Sequence, residues 1–96
     1  MKLEALEYAN FALKSIIEKR PVETFVFYNA LQGISDFLKS DMDSVERDLI
    51  NKNIERFNGV INVLKIYHDG GSCIREIVEA NYMDFNALIN LLYGIK

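Results

Sequence analysis

Residues 22–28 read VETFVFY, and the fold class turns on whether they form a strand or a helix. By composition the segment is β-prone, because Val, Phe and Tyr are enriched in strands. Its surroundings argue for a helix. Pro21 stands just before it, and proline suits the first helical position, where no N–H donor is needed. Glu23 then falls in the first turn, where the helix dipole favours a negative charge. Phe27, Leu31, Ile34 and Leu38 continue one apolar stripe at helical spacing. No other segment offers a partner strand. On a helix the consecutive bulky residues Phe25, Val26, Phe27 and Tyr28 point in four directions. That turn is apolar all round, so it sits in the core or touches a partner.

Working towards the N-terminus, residues 2–19 predict a first helix. Leu6, Ala9, Leu13, Ile16 and Ile17 repeat at helical spacing. Lys19 and Arg20 suit the negative end of its dipole, and Pro21 stops it. Towards the C-terminus, residues 40–44 form a turn, with Asp43 and Glu46 at capping-box spacing. A third helix is expected over 44–68, ~37 Å long at ~1.5 Å per residue. Ile50, Ile54, Phe57, Ile61 and Leu64 form its buried face. Past Gly59 that face widens to Val60, Val63, Ile66 and Tyr67, which predicts the most buried part of the molecule. Asp69-Gly70-Gly71 ends this helix, with a glycine free to take positive φ. Ser72 is expected to cap a fourth helix over 72–80. Residues 81–84 read as a break, with Asp84 capping a short fifth helix over 85–93. The expected architecture is an all-α, compact antiparallel bundle of four main helices plus a short C-terminal fifth, in one domain spanning 1–96.

Composition bounds the function. Among 96 residues, 50% are hydrophobic and 11% aromatic, enough for a single core and against disorder. Eleven basic residues stand among fourteen acidic ones, for a net charge of −3. That balance is a poor phosphate track, so nucleic acid is not an expected partner. A single cysteine excludes an intramolecular disulfide and suits a reducing, cytoplasmic setting. No run approaches the ~20 apolar residues of a membrane span, and the start of the chain lacks the apolar run of a signal peptide.

The chemistry-bearing residues cluster in YHDGGSCIRE, residues 67–76. A cysteine in the first turn of a helix, with a histidine as base, would be the nucleus of a Cys/His enzyme. The glycines lack the Lys-Ser/Thr pair of a P-loop, and no second His or Cys completes a zinc site. The plain reading is a helix-to-helix turn. Asp41, Asp43, Glu46 and Asp48 could hold a cation, yet acids at a helix start first of all complement its dipole. Residues 72–93 could be a helix-turn-helix, with Asn86 and Asn90 facing DNA but no Arg or Lys beside them. No cofactor, metal or catalytic set is implied. The preferred function is a non-catalytic interaction module, a regulator, inhibitor or assembly factor that presents a helical surface to a protein partner, with a homodimer as one form. The expected surface is Phe25, Phe27, Tyr28, Leu31 and Leu38, backed by Asp41 and Asp43. A DNA-binding regulator, a Cys/His enzyme and a small-ligand binder are the rivals.

Overall fold

The VETFVFY segment is helical from Thr24 onward. The computed structural model describes residues 2–95, and within them the chain forms five α-helices and no strand. These are α1 Glu4–Ile17, α2 Thr24–Lys39, α3 Ser44–Lys52, α4 Ile54–His68 and α5 Arg75–Gly94. Among the described residues, no helix is long and apolar enough to cross a membrane.

Four of the helices form a closed ring in which α1 packs on α2 and α5, and α4 packs on the same two. Ring contacts give the directions. Phe27, early in α2, lies 5.9 Å from Tyr67, late in α4, and Phe37, late in α2, stacks at 6.0 Å on Phe57, early in α4. Those helices are therefore antiparallel. Phe57 meets Phe85 of α5 edge-on at 5.5 Å, the favoured aromatic geometry. On the other side of the ring α1 and α2 approach closely, because Gly33 leaves room for Ala5: a Cβ at position 33 would sit 3.2 Å from that of Ala5. Leu6, Leu13, Ile34, Phe57, Leu64, Phe85, Leu88 and Leu92 are fully buried in the centre. Each such side chain contributes roughly 1.5–3 kcal/mol of transfer free energy.

The helix ends show why the chain turns where it does. The capping box expected at α3 is present. Glu46 N–H donates to Asp43 Oδ1 at 2.8 Å, and Asp43 N–H donates to Glu46 Oε1 at 3.0 Å. The glycine stop after α4 is present too. Gly70 has φ 88°, and Gly71 N–H closes back on Ile66 C=O at 2.8 Å. The end of α1 repeats that pattern without a glycine. Arg20 N–H closes on Ser15 C=O at 3.0 Å and Lys19 N–H on Ile16 C=O at 3.0 Å, with Lys19 held at φ 58°. Glycine is the usual residue at that left-handed position.

Three expected boundaries are corrected. The helix over 44–68 is two helices, pivoting at Asn53 (φ −117°, ψ 18°). There the side-chain amide donates to Leu49 C=O at 2.9 Å, and the backbone N–H shifts to Ile50 C=O at 3.0 Å. The side chain thus competes for the carbonyl that the helix would use. The separate helices over 72–80 and 85–93 are one continuous α5, so Asp84 caps nothing. Ser72 does not cap it either: the boundary residue is Ile74, with no side-chain cap bond. The short helix of the bundle is consequently α3, and α5 is the longest. The end of α4 is less buried than its pattern implies, because Val60 and Val63 are buried but Ile66 is 42% exposed.

Candidate functional site

The seven residues expected to form a partner surface do not form one surface. Phe27 is corrected outright: at 5% exposure it belongs to the core, as the stripe it shares with Ile34 requires. Leu31 and Leu38 are half-buried and pack against that core. Phe25 and Tyr28 point out of the first turns of α2, each 56% exposed. Tyr28 is not loose, since its ring lies 6.4 Å from that of His68 at the end of α4. Asp41 and Asp43 are exposed at the opposite end of α2. Asp43 is engaged in the α3 cap, and Asp41 borders a hollow of about 400 Å³ with Lys2, Asp36 and Ser40.

The loop after α4 does not assemble a nucleophile and base. Cys73 precedes Ile74 and so lies outside the first turn of α5. It is half-buried, and its backbone is clamped by the Tyr67 hydroxyl, which accepts from Cys73 N–H at 3.2 Å and donates to Cys73 C=O at 3.3 Å. His68 Nδ1 pairs instead with the exposed Asp69 carboxylate at 3.0 Å. Among the described residues, no group of three or more His, Cys, Asp or Glu side chains could hold a metal ion. The helix-turn-helix is likewise removed, because α5 runs unbroken through residues 81–84.

A different site emerges between α1 and α5, as a groove of about 250 Å³. Three carboxamides line it: Asn10 from α1, and Asn86 and Asn90 from α5. Phe11, Tyr82 and Tyr93 supply aromatic walls, with Glu7 and Lys14 also on the α1 side. Asn10 is only 6% exposed, a polar residue set on the buried face between Leu6 and Leu13. Its Nδ2 donates to Asn86 Oδ1 across the helix pair at 3.3 Å. Its Oδ1 is buried with no hydrogen-bond partner. A buried acceptor left unpaired costs about 1–3 kcal/mol. Tyr93 donates its hydroxyl to Glu7 Oε1 at 2.7 Å. This bond, a smaller loss of hydration and the negative charges of Glu7 and Glu4 raise the Tyr93 pKa above its ordinary value.

Asn86 and Asn90 are legible in the sequence as residues of an exposed face, but nothing there connects them to Asn10. The visible signal was Asn10 itself, one polar residue inside an apolar stripe. No known family, curated protein or solved structure matches this chain. The described residues define its class as a small all-α ring of four helices, with a short fifth, α3, connecting α2 to α4.

Proposed function

We propose that this protein is a non-catalytic interaction module of the cytoplasm that docks a protein partner through the outer face of α2. The observation that carries this reading is the pair Phe25 and Tyr28, both more than half exposed while Phe27 between them is buried. The two stand three residues apart on one face of the helix, and contiguous exposed apolar surface is what marks partner sites. Tyr28 is further positioned by the His68 ring, so little side-chain freedom is lost when a partner covers it. The single cysteine is compatible with a reducing compartment.

A photo-crosslinking residue at position 25, expressed in the native cell, tests this. The expected result is one discrete adduct that is absent when the probe sits at the exposed position 55 and weakened by Tyr28→Ala. An adduct of twice the chain mass would identify the partner as a second copy. Position 25 giving no adduct, or the same ladder as position 55, would refute the reading.

A further inference from the structure

We infer that two copies of this chain pair through the outer face of α5, antiparallel and about a two-fold axis at Ala87. That face lies across the ring from α2, since α1 and α4 each pack on both α2 and α5, so pairing leaves Phe25 and Tyr28 free. Charge singles it out. Every other helix exposes side chains of both signs: Glu7 and Lys14 on α1, Asp36 and Lys39 on α2, Asp48 and Lys52 on α3, Glu55 and Lys65 on α4. On α5 the charges stop at Asp84, and residues 85–95 hold none. Yet this uncharged stretch is not enclosed. Leu91 is 50% exposed, and Met83, just before Asp84, is 68% exposed. A helix apolar on all sides belongs in an interior, and the ring covers only the side of Phe85, Leu88, Ile89 and Leu92.

The face is its own complement. At ~100° per residue, Ala80 and Gly94 fall ~20° to either side of Ala87, and Met83 and Leu91 ~40° to either side. A two-fold axis at Ala87 therefore sets Met83 level with Leu91 of the second copy, and Ala80 level with that copy's Gly94. The two bulky side chains pass on opposite sides of the contact, while Ala80, Ala87 and Gly94 let the helices approach to ~8 Å. The antiparallel arrangement also puts the positive end of each helix dipole beside the negative end of the other. Asp84 and Asn90 lie farther out, ~60° from Ala87, where water still reaches them. Pairing covers roughly 500 Å² per copy, which meets the ~1,000 Å² total of a specific interface at its lower limit. A contact centre without charge is the composition of pairing between identical chains, whereas interfaces with transient foreign partners are about as polar as ordinary surface.

The test is sedimentation equilibrium of the full chain from ~5 to ~500 μM, the range in which so small an interface should fill. Twice the chain mass is expected at the top of the range and one chain mass at the bottom. Ala87→Lys, at an exposed position that a good helix former can fill, should keep the chain monomeric throughout with an unchanged circular dichroism spectrum. Tyr28→Ala should leave the dimer intact, which separates this result from the docking reading for α2. Register is read by disulfide trapping in a Cys73→Ser background. Ala87→Cys should link to its own copy under mild oxidation, whereas Ala80→Cys, ~21 Å from its mate, should not. One chain mass at every concentration, a dimer that survives Ala87→Lys or is dispersed by Tyr28→Ala, or a link at position 80 as ready as that at 87 would overturn the inference.

Discussion

The α3–α4 junction and the middle of α5 carry the same pattern and behave in opposite ways. Ile50, Ile54, Phe57, Ile61 and Leu64 are spaced four and three residues apart, and so are Val78, Tyr82, Phe85, Ile89 and Leu92. Each run contains an asparagine whose Nδ2 donates to the carbonyl four residues back: Asn53 to Leu49 and Asn81 to Ile77, both at 2.9 Å. Yet the chain bends at Asn53 and continues straight through Asn81. Local chemistry is nearly equal, so the surroundings decide. α5 lies between α1 and α4 and buries its stripe along its length. A straight helix over 44–68, ~37 Å long, would run far past α2, which is only ~24 Å long. Its first turns would hang in water. Bending at Asn53 returns Ile50 to the core at 1% exposure, at the cost of leaving Ile54 39% exposed. Arg47 fixes the bend, its guanidinium donating to Leu38 C=O and Ser40 C=O at 2.9 Å each. Those carbonyls lie at the end of α2, where a cation is welcome.

Four substitutions probe this contrast. Phe85→Ala removes the anchor that holds α5 straight against α4, and should cost about 3–5 kcal/mol in urea unfolding. A loss under ~1 kcal/mol would mean that the stripe is not what keeps α5 whole. Arg47→Ala should cost about 1–2 kcal/mol, since its charged bonds are only partly shielded from solvent. It should also speed amide exchange across α3 with little effect on α5. Asn53→Ala should change stability by less than ~1 kcal/mol and leave the bend in place, as read from backbone chemical shifts. A helix that becomes continuous at 53 would show that the asparagine, and not the end of α2, sets the bend. The smallest effect lies at the far end of α5. Tyr93 has a raised pKa in the folded state, so the folded chain holds that proton more tightly than the unfolded one. Its contribution to stability is present below the ordinary tyrosine pKa of ~10 and is lost as pH rises through the folded value. Glu7→Gln should lower the Tyr93 pKa towards that ordinary value in an NMR titration, and an unchanged midpoint would contradict the Glu7 cause.

What could be read from sequence follows from the same contrast. The helical state of VETFVFY, the Asp43–Glu46 cap and the glycine stop at Gly70 depend on neighbours within a turn or two, and each is legible there. The bend at Asn53 depends on how far α2 extends. The continuity of α5 depends on Phe57 of another helix. Asn81 and Asp84 resemble breakers only when those neighbours are out of view, although Tyr82 and Phe85 keep the apolar spacing through the segment. Phe27 was separable from Phe25 and Tyr28, since it alone of the three belongs to the stripe of Leu31, Ile34 and Leu38. Asn10 was conspicuous on its helix, but its partner lies 76 positions away.

That distance has a kinetic consequence. The seam between the first and last helices is stitched by polar bonds joining residues 76 and 86 positions apart, a 3.3 Å amide contact and a surface hydroxyl bond. Bringing such remote partners together carries more loop-closure entropy than any other seam of the ring, and water competes readily for both bonds. The neighbouring seam between α1 and α2, where Ala5 presses on Gly33, is closed by apolar packing instead. Transient opening is therefore expected first along the line between α1 and α5, with α5 still hinged on α4 through the Phe57–Phe85 contact like a stave loosened at one edge.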